Sequence, residues 1–125
     1  MHALVVDDSR TTRKILCFIV DELGFAVTEA GDGIEALQAI ESLGHVDLML
    51  VDWNMPNMNG IEFIKEVRRR GAWDGTRIMM VTTEAELNQV LQAIEAGANE
   101  YIMKPFSREA LFEKLALLGF EREQQ

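Results

Sequence analysis

Carboxylates, hydroxyls and an amine stand where four short apolar runs of this chain end. Asp7 and Asp8 follow residues 3–6, Asp52 follows a run that closes on Val51, Thr82 and Thr83 follow 78–81, and Lys104 follows 100–103. A carboxylate can attack phosphorus as a nucleophile, giving an aspartyl phosphate. Further carboxylates can hold a cation, a threonine hydroxyl can donate to an oxyanion, and an ammonium can neutralise a transferring phosphoryl group. An incomplete, oxygen-only ligand set suits Mg²⁺, which keeps waters and completes its shell with phosphate. Asp52 stands alone at the end of a run and is the better nucleophile. Asp7 and Asp8 are adjacent and better placed to hold metal.

These groups act together only if the elements carrying them end at one edge. Residues 3–6 read as a buried strand, and 9–23 as a helix with Ile15, Leu16, Ile19, Val20 and Leu23 on one stripe before Gly24. A weaker strand covers 25–29, and Asp32 with Glu35 has the pattern of a capping box opening a helix to Leu43. Residues 47–52 hold an unbroken Leu-Met-Leu-Val run, as in a strand buried on both faces. A helix over 60–70 on Ile61, Ile64 and Val67 is followed by a strand at 77–82. A helix over 84–96 carries Leu87, Leu91 and Ile94, a short strand spans 100–103, and Ser107 caps a last helix with Leu111, Leu115 and Leu118.

Five β-α repeats predict an α/β fold, a doubly wound (βα)5 flavodoxin-like arrangement with a five-stranded parallel sheet in the order 2-1-3-4-5. Ligands of such sheets sit outside the carboxyl ends of the strands. With the first and third strands adjacent, Asp7, Asp8 and Asp52 share one cleft, and Thr82 and Lys104 lie on the next two strands. Three acids there repel by several kcal/mol unless a cation sits among them. Taken singly, each residue has a plainer role. Asp7-Asp8 can cap a helix, Asp52 can start a loop, Thr82 can bond locally, Lys104 can be a surface lysine and Tyr101 a core aromatic. The joint pattern is what points to phosphoryl transfer.

Composition narrows the classes. The chain has 125 residues, 12 Lys+Arg against 21 Asp+Glu, and a net charge of −9, which disfavours nucleic acid as a partner. Arg68-Arg69-Arg70 reads as a helix end, where cations suit the dipole. One cysteine, Cys17, excludes a disulfide framework. The longest fully apolar run is the six residues 15–20, far short of the roughly 20 of a membrane span. The start has no signal-peptide pattern, so a cytoplasmic protein is expected, with residues 1–125 forming one domain and no effector domain.

Nearly the whole chain resembles the receiver domains of bacterial two-component signalling, in particular single-domain chemotaxis-type response regulators of the CheY kind. The resemblance rests on Val5-Val6-Asp7-Asp8-Ser9, on Asp52-Trp53-Asn54-Met55-Pro56-Asn57-Met58-Asn59-Gly60, on Val81-Thr82 and on Lys104-Pro105-Phe106. It implies that Asp52 is the phosphoacceptor, with Asp8, Asp52 and the backbone carbonyl of Asn54 as direct Mg²⁺ ligands (Mn²⁺ as a substitute) and Asp7 helping to arrange the ion. It further implies that Thr82 bonds the phosphoryl group, that Lys104 pairs with it, that the Lys104-Pro105 peptide is cis, and that Tyr101 turns inward when Thr82 shifts. Asn54 and Glu84 would tune dephosphorylation, giving a labile phosphoaspartate.

The implied function is a switch rather than an enzyme with a separate substrate. A sensor histidine kinase or histidine phosphotransfer domain donates the phosphoryl group, and the surface of the fourth helix, fifth strand and fifth helix changes its affinity for a downstream protein. A monomer is expected, with phosphorylation-dependent dimerisation as the alternative. Motor-binding relatives tend to have a lysine-rich output face, whereas Glu84, Glu86, Glu100, Glu109, Glu113 and Glu121 lie here beside Arg108, Lys114 and Arg122. A phosphorelay intermediate or a receiver outside chemotaxis is therefore an alternative. A flavodoxin-like carrier fits less well, because Asp7-Asp8 would repel a flavin phosphate. An aspartate-nucleophile phosphatase would carry its acids two residues apart after the first strand, and a purely structural scaffold would bind no Mg²⁺.

Overall fold

The computed structural model describes residues 1–83 and 87–121. Strands and helices alternate as β1 His2–Val6, α1 Arg10–Asp21, β2 Ala26–Ala30, α2 Gly33–Leu43, β3 Leu48–Val51, α3 Gly60–Arg70, β4 Arg77–Thr82, α4 Leu87–Ala96, β5 Glu100–Met103 and α5 Arg108–Leu117. All pairings are parallel, and the sheet runs β2-β1-β3-β4-β5. This is the predicted order.

Unbroken apolar strands arise because successive side chains point to opposite faces, and both faces are covered. Leu4, Val6, Met49, Val51, Ile78 and Met80 pack on one side with Leu37, Ile40, Ile64 and Val67 of α2 and α3. Ala3, Val5, Leu48, Leu50, Met79 and Val81 pack on the other with Leu16, Ile19, Val20, Leu111 and Leu115 of α1 and α5. Each central strand thus feeds two cores with alternate residues.

The helices begin at polar caps. Ser9, Asp32, Asn59 and Ser107 each accept a backbone N–H from the first turn of the following helix. A full reciprocal capping box occurs at Asn59 and Glu62, a position the sequence pattern did not single out.

Two helical stripes differ from expectation. In α4, Leu87, Leu91 and Ile94 are 74%, 54% and 46% exposed, while Ala93 and Ala96 face the core. Small residues let this helix lie close to the sheet, and the bulky ones are left on the outside. In α1, Ile15 is likewise exposed, the core side being carried by Leu16, Ile19 and Val20, while Leu23, half-buried, lies in the turn beyond the helix end at Asp21. The arginine run at the end of α3 also divides. Arg69 and Arg70 pair with Glu66, and Arg70 also with Glu41. Arg68 instead turns inward and donates to the carbonyls of Gly97, Trp73 and Thr76 and to Asn99 Oδ1. Among the described residues, no helix is long and apolar enough to cross a membrane.

Candidate functional site

Sheet register builds the site. Val6 pairs with Val51, so Asp7 and Asp52 each come one residue beyond a matched pair. The ladder continues past the strands, with Asp52 N–H donating to the Val6 carbonyl at 2.9 Å and Asp7 N–H to the Ala30 carbonyl at 3.1 Å. On the other side Thr82 pairs with Met103, and Lys104 N–H donates to the Thr82 carbonyl at 2.8 Å. Four strand ends therefore deliver Asp7, Asp52, Thr82 and Lys104 to one rim.

Oxygens of Asp7, Asp8 and Asp52 lie within 4.8 Å of one another, with Asp7 and Asp52 buried and Asp8 exposed. Lys104 Nζ is 2.8 Å from Asp7 Oδ2 and 3.6 Å from Asp52 Oδ2. One ammonium against three carboxylates leaves the cluster short of positive charge. At this spacing each like-charged pair costs about 3 kcal/mol at an effective dielectric near 20. Burial pushes the Asp52 carboxyl from 3.8 up to about 6, and the Asp7 charge adds to the rise. Lys104 and the Trp53 N–H pull it back, and Asp8 raises it slightly. All three donors are hard oxygens, and two of them are largely withdrawn from water. The set fits a divalent cation of the Mg²⁺ type.

Backbone N–H groups orient the acids. Ser9 N–H donates to Asp7 Oδ1 and Trp53 N–H to Asp52 Oδ1, both at 2.8 Å. Asp52 is thereby held by one oxygen while the other faces the lysine amine. Gly60 secures the loop after it. Its N–H donates to the Trp53 carbonyl at 2.9 Å, and a Cβ there would collide with the Asp52 carbonyl oxygen.

Thr82 is fully buried beside this rim, and Tyr101 on β5 is half-buried against the α2–α3–α4 core. Lys104-Pro105 is a cis peptide. Asn54 is exposed in the loop after Asp52, and Glu84 lies outside the described residues. Beside Lys104 a cavity of about 340 Å³ opens between α1 and the β5–α5 turn, lined by Thr12, Ile15, Thr83, Lys104, Pro105 and Phe106. Sequence reasoning missed Arg13, whose guanidinium donates to the Asp7 carbonyl at 2.8 Å and pairs with Glu29 at 3.0 Å. Its only signal was a cation four residues into a helix that opens beside two acids.

Similarity to known proteins agrees with this geometry. The family model described as the response regulator receiver domain matches residues 3–116. Chemotaxis protein CheY1 of Helicobacter pylori is 40% identical over 119 residues, covering 94% of this chain and 96% of that protein. The chemotaxis protein CheY homolog of Campylobacter jejuni is 44% identical over 116 residues, covering 92% and 89%. Among solved structures, chemotaxis response regulator CheY4 of Vibrio cholerae superposes with a TM-score of 0.87 at 34% identity, covering 94% of this chain and 97% of that one. A CheX-CheY-BeF₃-Mg²⁺ complex from Borrelia burgdorferi gives 0.88 at 26% identity, covering 95% and 89%. An acid cluster at the switch point of a 2-1-3-4-5 sheet and a family match over most of the chain lead to one conclusion: this chain belongs to the response regulator receiver domain family, the phosphoryl-accepting switches of two-component signalling.

Proposed function

We propose that Asp52 is the residue that takes the phosphoryl group, and that the chain is a chemotaxis-type regulator. The observation that carries this reading is the placement of Asp52, buried at the end of β3, held by the Trp53 N–H on one oxygen and facing Lys104 with the other. The oxygen that faces Lys104 attacks the phosphorus of a donor phosphohistidine. The P–N bond breaks, an acyl phosphate forms, and the imidazole leaves as a neutral ring after taking up a proton. Lys104 meets the charge that develops on the phosphoryl oxygens, and Thr82 donates its hydroxyl to one of them.

Asp8, Asp52 and the Asn54 carbonyl would hold Mg²⁺, with Asp7 beside them, and Mn²⁺ would substitute. The ion supplies charge neutralisation for an incoming phosphoryl group. Supporting this, the Borrelia burgdorferi CheX-CheY complex was solved with BeF₃ and Mg²⁺. The cavity beside Lys104 gives the donor, a sensor histidine kinase or a phosphotransfer domain, an approach from the α1 side.

Phosphorylation draws Thr82 and Lys104 toward the new dianion, and Tyr101 follows inward. This biases the α4–β5–α5 surface between two states. The exposed Leu87, Leu91, Ile94 and Met103 give that surface apolar anchors, and α4 carries no Lys or Arg over Leu87–Ala96. A downstream protein with apolar side chains and a neutral or basic rim complements it. The relatives named chemotaxis proteins at 40% and 44% identity support the chemotaxis assignment over a phosphorelay role. The protein acts in the cytoplasm as a monomer, and Asn54 and Glu84 set the lifetime of the phosphoaspartate.

Incubation with acetyl phosphate and Mg²⁺, followed by intact mass, tests the reading. One phosphoryl group is expected on the wild type and none on Asp52→Asn. An unmodified wild type, or an Asp52→Asn variant modified at the same rate, overturns it.

A further inference from the structure

The carboxylate of Asp32 is bonded through both oxygens, and only one of them serves its helix. Oδ1 accepts the Glu35 N–H at 2.8 Å and so caps α2. Oδ2 accepts Nδ2 of Asn57 at 2.8 Å, from a residue 25 positions further on in the loop that follows Asp52. A cap needs a single oxygen. The second bond joins α2 to the loop.

Asn57 sits at a φ of 67°, a left-handed conformation that turns the loop at this point. The next residue is fastened as well. Gly33 N–H donates to the Met58 carbonyl at 3.2 Å, and the two backbones are so close that a Cβ on Gly33 would lie 2.8 Å from the Met58 carbonyl oxygen. The near end of the loop is tied by Gly60 N–H to the Trp53 carbonyl, and Trp53 N–H in turn holds Asp52 Oδ1. The N-terminus of α2 therefore bears on the acceptor through one continuous chain of contacts.

We infer that Asp32 and Asn57 are positioning residues for phosphoryl transfer: their side-chain bond fixes the 53–59 loop so that the Trp53 N–H engages one oxygen of Asp52 and leaves the other aimed at the donor. The inference rests on the reading of Asp52 as acceptor. Asp32 is almost wholly buried, whereas Asn57 is exposed, so the bond is formed at the molecule's edge. Losing it alters loop placement more than folding. The same two donors hold the Asp32 carboxyl below its ordinary range, so the bond keeps an ionised acceptor at neutral pH.

The test uses the full chain with acetyl phosphate and saturating Mg²⁺, following phosphorylation by intact mass against donor concentration. Asp32→Ser keeps a good helix cap but cannot reach Asn57. Asn57→Gly accepts the left-handed backbone but carries no amide. Each is expected to lower the rate constant at saturating donor about tenfold, as for a small misplacement of a reacting group. The half-saturating donor concentration should not change, and melting should stay within about 4 °C of wild type. The exchanged pair Asp32→Asn with Asn57→Asp reverses donor and acceptor and should return the rate to within about threefold of wild type.

Single variants that react at the wild-type rate overturn the inference, as does an exchanged pair no faster than the slower single. Should Asp32→Ser fail to fold, Asn57→Gly, which leaves the cap intact, carries the same test. A wild type that is itself not phosphorylated overturns the acceptor assignment and this inference together. A phosphorylated wild type with equally fast variants overturns this inference alone.

Discussion

Replacing Asp52 by Asn should make the metal-free protein more stable. The Asp52 carboxyl is raised from 3.8 to about 6, chiefly by burial and by Asp7. A rise of ~2 units corresponds to about 3 kcal/mol of preference for the neutral form in the fold. The group is nearly buried, its side chain 8% exposed, so solvent screening removes little of this. A folded-state value above the unfolded one means that the protonated acid favours folding. That contribution is complete below about pH 4 and is lost as the pH climbs through about 6. Asn is neutral at every pH and nearly the same shape. In EDTA, the variant should therefore match wild type near pH 4 and exceed it by about 2–3 kcal/mol above pH 7. With an unfolding entropy of about 0.26 kcal/mol/K for a chain this long, the gap is roughly 10 °C in Tm. Scanning calorimetry of both proteins from pH 4 to 8, plotted as a difference, isolates this group from Asp32 and Asp47, whose lowered values give stability that fades in acid. Mg²⁺ at about a hundred times its Kd should return about 2.7 kcal/mol to the wild type and less to the variant. A difference that is flat across pH, or a variant less stable at pH 7.5 in EDTA, would refute the electrostatic account of the cluster.

Gly60→Ala drives a methyl into the Asp52 carbonyl, so it should cost about 1–3 kcal/mol in urea unfolding and slow phosphorylation by acetyl phosphate. Arg68→Met removes the donor shared by Gly97, Trp73, Thr76 and Asn99, and chemical denaturation should show a loss of about 3 kcal/mol, against less than 1 for Arg69→Met on the surface. Leu91→Ser, on the exposed side of α4, should leave the denaturation midpoint within about 0.5 kcal/mol while weakening capture of the downstream partner. Burial, with the Glu29 charge, pushes the Cys17 thiol up to about 11, so the native protein at pH 7.5 should react with iodoacetamide far more slowly than the urea-unfolded chain.

The sheet and its polar rim were readable because local rules and tertiary need coincide there. Leu48–Val51 and residues 78–81 are apolar without a break since both of their faces are covered, and the residue that follows each run is the one delivered to the rim. Right-handed crossovers leave few strand orders, and 2-1-3-4-5 is the common one for five strands. Apolar period alone misled for α4, because it says that a stripe exists and not which side a helix rests on. There two alanines make the closer contact. Arg68 was unreadable for a related reason. A cation at a helix end has an adequate local explanation, and only the fold shows five carbonyl and amide acceptors gathered around it. Asp32 was visible as a cap, but its bond to Asn57 joins loops that sequence distance keeps apart.

The docking of the α3 start onto the Asp52 carbonyl has an evolutionary consequence. Because Gly60 and the Asn59–Glu62 box weld the Asp52 backbone to a helix on the β3 side, this aspartate has little freedom to travel. Under the proposed phosphorylation of Asp52, the rearrangement is expected across the sheet, toward β4 and β5. Descendants of such a chain can redraw the outer surface of α4 for new listeners while inheriting the chemistry unaltered.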